Sequence, residues 1–375
     1  MKFNVSSSTL LLALQSASRV IASKNTLPIL DSFLFNLEEG KMTITASDVE
    51  TRLVTSFDIT GQEGKGLFAI DAKRLLDPLK ELPDQPLSFD IDDYNMAVNV
   101  DYENGKFSIP GQKGDTYPQQ KPLKNSAFSM TLESQIMLNG INRALFATAD
   151  DELRPVMNGI YFDIQPDYLI FVASDGHKLA RLCNTTVKSN ERASFILPKK
   201  PANLLKSLLS KNADMITVTF DENNAYVKTP TFEMVCRLIE GRYPNYEAVV
   251  PTDNPNHVTI DRISFLSALK RISSFTSQAT GLAKIEMSEN EMVVSAQDID
   301  FSTSGEEKIV CQYSSVPVSI GFKASFLIDI LSNISSTNVV LQLADPTRAG
   351  VLVPSENEEN EELLMLLMPM MLNDY

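Results

Sequence analysis

The sequence predicts an α+β protein of three similar domains in tandem, each with two helices on one face of an antiparallel sheet. A Pro preceded by Tyr or Met recurs about every 125 residues, at Pro118, Pro244 and Pro369. An Asp at the end of an apolar stretch recurs with nearly the same period, at Asp48, Asp175 and Asp298. The period is that of an ordinary domain and is too long for a solenoid. The 375 residues therefore divide into domains 1–125, 126–250 and 251–375.

Each repeat has the same predicted order of elements. A first helix is predicted over 7–24, 131–147 and 259–277, and a second over 71–83, 198–212 and 321–335. Between them lie strands joined by turns, as in FLFNLEEGKMTITAS, whose Glu-Gly pair supplies the turn. Leu10, Leu14, Ala17 and Ile21 recur at helical spacing, which favours an amphipathic helix over a signal peptide. Pro-rich polar segments over 110–126 and 249–257 are predicted linkers, and the acidic segment 356–362 is predicted to be an exposed loop tip.

Composition indicates a globular protein with real cores, since 43% of residues are hydrophobic and 22% are charged. No run of about 18 apolar residues is present, so no membrane span is expected. The three cysteines, Cys183, Cys236 and Cys311, lie far apart in apolar strand-like stretches. Buried reduced thiols and a cytoplasmic location are the expectation.

The charge is unevenly distributed along the chain. The six predicted helices hold 14 Lys or Arg and six Asp or Glu, a net +8, whereas the rest of a chain of net −15 carries −23. A basic surface formed by helices would attract a polyanion without reading sequence. Few aromatic residues are interleaved in these helices, so duplex DNA is a better target than single strands. The predicted DNA-binding residues are Lys24, Lys73, Arg74, Lys80, Arg143, Lys199, Lys200, Lys206 and Arg271.

Helix counting favours a closed dimer. Two chains would supply 12 helices, which at about 10 Å each make a circle about 38 Å across between helix axes, leaving about 28 Å clear. That space admits a duplex with a layer of water. Three chains would leave a hole of about 47 Å, too wide for close tracking. Head-to-tail association closes into a ring when the rotation fits.

Marks of catalysis are missing from the sequence. It contains no GxxxxGK[ST], no GxGxxG after a strand and no GxSxG. With two His and no CxxC, neither a metal site nor a cofactor is expected. His177 could be paired with Asp175 as acid and base, but nothing nearby completes a nucleophile relay. Asp150, Asp151 and Glu152 are interpreted as solvated acids in a loop. We therefore expect no catalytic residues.

Seven segments resemble one known family, the bacterial β sliding clamp, which is the processivity factor of the replicative DNA polymerase. They run from the first repeat to the last: TLPIL (26–30), LRPVMNGIYFD (153–163), SDGHKLA (174–180), GRYPNY (241–246), GFKASFLIDIL (321–331), DPTRAG (345–350) and LLMPMML (366–372). The order and spacing of the whole set make the resemblance specific.

The resemblance implies a clamp fold and a head-to-tail homodimeric ring with helices inside and sheets outside. It implies a non-catalytic protein that encircles double-stranded DNA without sequence preference. Its partners would be the replicative polymerase catalytic subunit, a clamp loader and other replication and repair proteins. Lys24 and Lys73 match DNA-contact positions of the family. The loop that includes Asp151, Pro155 and Val156 differs from some relatives, so DNA contact there is doubtful.

The family also binds partner peptides rich in Gln and Leu or Phe, in a pocket between the second and third domains. The matching positions are Met157, Ser174, Gly176, His177, Lys178, Leu179, Pro244, Val249, Phe326, Thr347, Leu366, Leu367, Met368, Pro369, Met370 and Leu372. Their apolar character suits peptide anchors, and Met side chains can repack around several partners. Met371, Ala279 and Ala248 depart from the family pattern and put fine peptide preference in doubt.

Two alternatives remain open from sequence. A peptide-binding adaptor scaffold that meets no DNA would share the repeats and the apolar segment near the end of the chain. An enzyme that uses His177 is the third possibility. The sequence does not identify which partners use the pocket, the role of the acidic segment or that of the tail 373–375.

Overall fold

The computed structural model describes residues 1–119, 127–209 and 214–372. The chain divides into two compact units, the first formed by 1–135 with 207–238 and the second by 136–206 with the residues from 239 onward. Each unit contains a large, mainly antiparallel sheet, of 13 strands in the first and 12 in the second among the described residues. The second predicted domain is shared between the two units.

Six α-helices are found in the described ranges. They are α1 (Ser7–Ser18), α2 (Ala72–Lys80), α3 (Ser134–Ala144), α4 (Lys199–Leu209), α5 (Arg262–Ile272) and α6 (Ala324–Ser332). In the first unit α1 packs against α2, and in the second α5 packs against α6. Apolar side chains at helical spacing explain these contacts: Leu75, Leu76 and Leu79 of α2 are buried.

The 13 described strands of the first unit form a single hydrogen-bonded sheet. They are β1 (Lys2–Ser6), β2 (Ser32–Glu38), β3 (Lys41–Ser47), β4 (Thr51–Asp58), β5 (Thr60–Glu63), β6 (Gly66–Asp71), β7 (Pro86–Ile91), β8 (Ala97–Tyr102), β9 (Gly105–Lys113), β10 (Phe128–Glu133), β15 (Met215–Phe220), β16 (Asn224–Lys228) and β17 (Phe232–Arg237). The sheet order is β10-β15-β16-β17-β4-β3-β2-β6-β9-β8-β7-β1-β5. β17 pairs with β4, so strands from the second repeat extend the sheet of the first.

The 12 described strands of the second unit also form a single hydrogen-bonded sheet. They are β11 (Gly159–Ile164), β12 (Leu169–Ser174), β13 (Lys178–Asn184), β14 (Ala193–Pro198), β18 (Asn256–Asp261), β19 (Leu282–Ser288), β20 (Glu291–Asp298), β21 (Thr303–Gln312), β22 (Val318–Lys323), β23 (Asn338–Leu343), β24 (Gly350–Pro354) and β25 (Glu361–Leu367). The sheet order is β14-β11-β12-β13-β25-β24-β23-β18-β21-β20-β19-β22. The α+β class, with helices and antiparallel sheet in every repeat, is confirmed.

The recurring Asp has a local physical cause. In each repeat one oxygen of its carboxylate accepts hydrogen bonds from the backbone N–H groups two and three residues further on, at 2.5 to 3.2 Å. The three residues are Asp48, Asp175 and Asp298. A short acceptor side chain that bonds to its own backbone in this way stabilises a tight turn. The period seen in the sequence is therefore a repeated turn after the strand.

The predicted helix boundaries are wrong at several ends. The first residues of the predicted helices 131–147, 259–277 and 321–335 lie in β10, β18 and β22, because ladder pairing and alternating burial hold them as strands. The carboxylate of Asp261 then accepts from the N–H of Ser264 at 2.7 Å and starts α5. Of the predicted helix 198–212, α4 accounts for 199–209, and 210–213 lie outside the described residues.

Lys24 is not in a helix, contrary to the prediction for 7–24. α1 ends at Ser18, where the backbone N–H groups of Val20 and Ile21 donate to carbonyls only three residues back, at Ala17 and Ser18, instead of continuing the α-helical pattern. Pro28 opens a short 3₁₀ helix four residues after Lys24. Lys24 lies in the intervening turns and is exposed. Residues 120–126 of the predicted first linker, including the 125/126 boundary, lie outside the described residues.

The cysteine prediction is confirmed, since Cys183, Cys236 and Cys311 are buried and free. Burial raises the pKa of the Cys236 thiol to about 12, which keeps it protonated and unreactive at neutral pH. No helix of the described residues is long and apolar enough to cross a membrane.

Gly140→Ala should destabilise the second unit. A Cβ built at Gly140 would lie 2.2 Å from a carbon of the Phe171 ring, which is fully buried. Overpacking of this kind costs about 1–3 kcal/mol, which exceeds the gain of about 1 kcal/mol in helix propensity from Gly to Ala. We expect the thermal midpoint to fall by several degrees. The control is Ser325→Ala, at an exposed position of α6, which should leave the midpoint nearly unchanged.

Candidate functional site

The turn that joins β12 to β13 in the second unit is tightly fixed. The Ser174 hydroxyl accepts from the N–H of Gly176 at 3.1 Å and donates to the carbonyl of Lys178 at 2.9 Å. Gly176 has φ +90°, a conformation that side chains rarely adopt, and a Cβ there would lie 2.8 Å from the guanidinium of Arg154. This turn presents Gly176 and His177 at the surface in one defined geometry.

A mostly buried ion pair lies under the turn. Lys178 Nζ is 2.9 Å from an Asp175 carboxylate oxygen, and the two side chains are 7% and 17% exposed. Burial acts to raise the pKa of Asp175, but the hydrogen bonds from Lys178 and from the N–H of His177 outweigh it and hold the pKa below its usual value. Burial raises the pKa of Asp329 on α6; the Lys178 ammonium opposes that rise and the Asp175 charge adds to it. Lys178 is therefore shared electrostatically by two carboxylates.

The Phe326 side chain of α6 packs beside Lys178 and His177. Its ring centroid lies 4.1 Å from Lys178 Nζ and 4.7 Å from Lys323 Nζ, and the His177 ring is 6.2 Å away. Ammonium groups over an aromatic face are attracted by the ring quadrupole. Phe326 is half-buried, so this charged cluster retains an accessible apolar edge.

The last strand of the described chain completes the site. β25 pairs with β13 along its full length, which places Leu366 opposite Leu179, and both are buried. Beyond β25, the N–H of Met368 donates to the carbonyl of His177 at 2.8 Å. The N–H of Met370 donates to the carbonyl of Gly321 at 2.8 Å. The segment 368–370 therefore connects β13 to β22 and lays a Met-Pro-Met sequence across the site.

An apolar cluster supports this surface from below. It includes Ile170, Val172, Leu179, Cys183, Ile196, Tyr243, Tyr246, Ala349 and Leu366. The Tyr243 ring stacks on Tyr161 with centroids 4.8 Å apart, and burial raises the pKa of the Tyr243 hydroxyl. Pro244, next to Tyr243, and Val249 stay exposed. Rigid aromatic packing beneath and exposed apolar groups above suit a binding groove.

All 16 predicted peptide-binding residues lie in the second unit, at different depths. Eleven of them are exposed or half-exposed: Ser174, Gly176, His177, Pro244, Val249, Phe326, Thr347, Met368, Pro369, Met370 and Leu372. Five are buried: Met157, Lys178, Leu179, Leu366 and Leu367. The contacts above link those from Ser174 to Leu179 with Phe326, Leu366 and Met368. We call this set of 16 the groove.

The sequence prediction missed three charged residues at the groove. Arg154 donates to the carbonyl of Asp175 at 3.4 Å and to the Asp151 carboxylate at 2.8 Å, so it braces the turn. Lys323 and Asp329 flank Phe326 and Lys178. The segments LRPVMNG and GFKASFLIDIL contained these residues, but only packing shows that they converge.

Some of the basic residues predicted to bind DNA are paired with carboxylates, and others are not. The six helices carry ten Lys or Arg and two Asp, a net +8 (10 minus 2). Four of the predicted DNA-binding residues have a carboxylate partner: Lys80 with Asp77, Arg143 with Glu358, Lys199 with Asp150 and Arg271 with Glu307. Lys24, Lys73, Arg74 and Lys206 are exposed and have no such partner in the part of the chain that the structure describes. Lys200 is also exposed.

Within the described ranges, no group of three His, Cys, Asp or Glu side chains is placed to hold a metal ion. The His177 backbone N–H is bonded to Asp175, and its ring faces Phe326. The side chains at this site offer apolar and charged contacts to a partner.

Comparison with solved structures identifies the class of protein to which this fold belongs. Solved structures of DNA polymerase sliding clamps have the same fold: one from Pseudomonas aeruginosa matches with a TM-score of 0.94 at 24% identity, covering 99% of this chain and all of that one. One from Thermotoga maritima matches with a TM-score of 0.90 at 24% identity and the same coverage. The fold is that of the sliding clamps.

Family models identify the chain more closely. The models for the N-terminal, central and C-terminal domains of the DNA polymerase III beta subunit match residues 1–121, 131–245 and 247–370. The beta sliding clamp of Synechococcus elongatus is 26% identical over 350 residues, 91% of this chain and 92% of that protein. That of Haemophilus influenzae is 26% identical over 373 residues, 99% of this chain and all of that protein. The chain belongs to the DNA polymerase III beta subunit family, as the sequence resemblance predicted.

Asp175→Asn should destabilise the protein in a pH-dependent way. It removes the carboxylate that lies 2.9 Å from the buried Lys178 ammonium, which costs about 3 kcal/mol at pH 7. A carboxylate with a depressed folded pKa contributes stability above its unfolded pKa and loses it as pH falls through the folded pKa. The gap in thermal midpoint between wild type and variant should therefore narrow as pH falls from about 7 to about 3.

The matched control for that measurement is Asp167→Asn, which removes an exposed pair with Lys188 at 3.6 Å. Exposed pairs contribute about 0–1 kcal/mol, so its midpoint should stay near that of wild type at every pH. A gap for Asp175→Asn that stayed constant with pH would contradict the assignment of the depressed pKa to this ion pair.

Proposed function

We propose that two copies of this chain close head to tail into a ring around duplex DNA and tether the replicative polymerase to its template. The observation that carries this proposal is the ordered match of all three family domain models over nearly the whole chain. The chain's own domains are proposed at 1–125, 126–250 and 251–375. The ring would confer processivity without reading DNA sequence.

Two open strand edges support closure by a second copy. In the first unit β9 pairs with β6 only through 111–113, so that edge is open over 105–110. In the second unit β21 pairs with β18 only through 311 and 312, leaving 303–310 open. Open edges are ready to pair with another chain. Because the two edges belong to different elements, joining β9 of one copy to β21 of the next gives a head-to-tail contact that repeats until the ring closes.

The charge of the helices supports DNA as the encircled partner. The six helices carry a net charge of +8, whereas the whole chain carries −15. A polyanion would therefore bind at the helix surfaces and be repelled by the rest of the chain. Lys24, Lys73, Arg74 and Lys206 are the strongest candidates for phosphate contact, because no carboxylate in the described chain competes for them. Binding through phosphates would let the ring slide.

The groove supports recognition of partner peptides. Pro244, Val249 and Met368 are exposed and Phe326 is half-buried, and these apolar groups suit a peptide with Leu or Phe anchors. The proposed occupants are short segments rich in Gln and Leu or Phe from the polymerase catalytic subunit, the clamp loader and other replication and repair proteins. Because one groove would serve them all, partners would compete.

We propose no catalytic activity, no metal and no cofactor for this chain. Its contribution would be topological, since the ring keeps a partner near DNA at high effective concentration. Bacterial chromosomes lie in the cytoplasm, so the ring is proposed to act there.

Loaded rings should be retained on circular DNA and lost from linear DNA. With its loader and ATP, the protein should co-elute with a nicked circle in gel filtration and dissociate once the circle is cut. Blocking both cut ends with bound streptavidin should restore retention. The free protein should have twice the 41.6 kDa mass of one chain. Equal retention on open linear DNA would exclude encirclement, and absence from every DNA would favour a peptide-binding adaptor.

Val249→Asp should weaken peptide binding without affecting the fold. Val249 is 55% exposed, so the fold tolerates Asp, but a carboxylate facing an apolar anchor must be desolvated. We expect at least a tenfold rise in Kd for a fluorescein-labelled peptide Gln-Leu-Ser-Leu-Phe, measured by fluorescence anisotropy. The control is Met215→Asp in the first unit, where Met215 is 54% exposed. If both variants bound the labelled peptide with the same Kd as wild type, Val249 would not contact the peptide.

A further inference from the structure

Arg143 was predicted to contact DNA, yet its guanidinium is fully engaged inside the second unit. Its side chain is only 18% exposed. It donates to the carbonyl of Asn333, to the Ser335 hydroxyl at 2.8 Å and to the Glu358 carboxylate at 2.9 Å. The Ser335 hydroxyl donates to the same carboxylate oxygen at 2.8 Å. We call these four residues the Arg143 lock.

The acidic segment 356–362 is an exposed loop over 356–360, as predicted, and its last two residues begin β25. Glu361 is buried and accepts from the side-chain amide of Asn139 on α3 at 3.2 Å. The Asn357 side chain accepts from the N–H of Leu363 at 3.0 Å. The carbonyl of Asn360 accepts from the N–H of Thr185 at 3.0 Å. Hydrogen bonds therefore attach the segment to α3 through the Glu361 side chain, to β25 through the Asn357 side chain and to Thr185 through the Asn360 carbonyl, although most of its side chains stay exposed.

The lock and the groove lie at opposite ends of the same three elements. β13 has Leu179 near its groove end and is followed by Thr185 at the other. β25 starts at Glu361 and ends at the groove with Leu366 and Leu367. α6 has Phe326 in its first turn and is followed by Asn333. Because β13 and β25 pair at every residue, a shift at one end of β25 is transmitted along it to the other.

We propose that Arg143 is a positioning residue for the peptide groove and not a DNA contact. By joining the end of α6 to the start of β25, the lock fixes the separation of Phe326 from Leu366 across the groove. This inference rests on the proposed peptide-binding function. A guanidinium is needed because only its planar fork serves three acceptors at once, which an ammonium on a flexible stem cannot reproduce.

Arg143→Lys separates the two roles, because it keeps the positive charge and removes the fork. Peptide Kd, measured with the labelled Gln-Leu-Ser-Leu-Phe probe, should rise threefold to tenfold, while retention on circular DNA should be unchanged. Glu358→Gln should weaken the peptide similarly. Lys188→Gln, which removes an exposed ion pair elsewhere in the second unit, is the control that should change neither readout.

A second measurement needs no peptide. In Arg143→Lys, amide hydrogen exchange of 363–367 in β25 should be faster than in wild type, and that of β7 in the first unit should be unchanged. Unchanged exchange together with unchanged peptide Kd would overturn the inference. So would a lower thermal midpoint with normal peptide affinity, since the lock would then be purely structural.

Different results would be expected if the proposed peptide-binding function, rather than the role of Arg143, were wrong. If wild type itself bound no peptide, the groove assignment would fail, and hydrogen exchange in β25 would show whether the lock still orders that strand. If Arg143→Gln lost DNA retention, Arg143→Lys kept it and both bound peptide normally, Arg143 would be a phosphate contact and the inference would be wrong.

Discussion

The pairing of β13 with β25 is the interaction on which the candidate site depends. Seven consecutive residue pairs insert the last strand of the chain beside a strand from the second repeat, and this alone brings Leu366 and Leu179 together. β17 and β4 make the corresponding connection in the first unit. Strands of the second repeat thus complete the sheets of both neighbours. Because the three repeats share these two sheets, strand pairing couples each repeat to its neighbour.

Much of this was predictable from sequence where the cause is local. The Asp turns at positions 48, 175 and 298 depend on neighbours within a few residues, and they were found as a periodic feature. The helix starts were placed too early because β10, β18 and β22 are held by partners far away in the chain. Apolar residues alternating just before a helix looked like part of it.

The members of the candidate site come from the family resemblance and stay a prediction. The structure adds their burial, since Lys178 and Leu179 are buried whereas Phe326 is half-buried. Charge counting could not reveal that Arg143, Lys199 and Arg271 already have carboxylate partners. The field that DNA would meet is therefore weaker than the formal count suggests. A weak, uniform attraction retains a polyanion while leaving it free to move.

The central place of β25 also matters while the protein is being made. Residues 361–367 leave the ribosome about 180 residues after β13, which at 5–20 residues per second is roughly 10–35 s. During that interval β13 has one side without its partner strand, in a sheet that is otherwise able to form. That edge of β13 therefore stays open to other strands until residues 361–367 have been made.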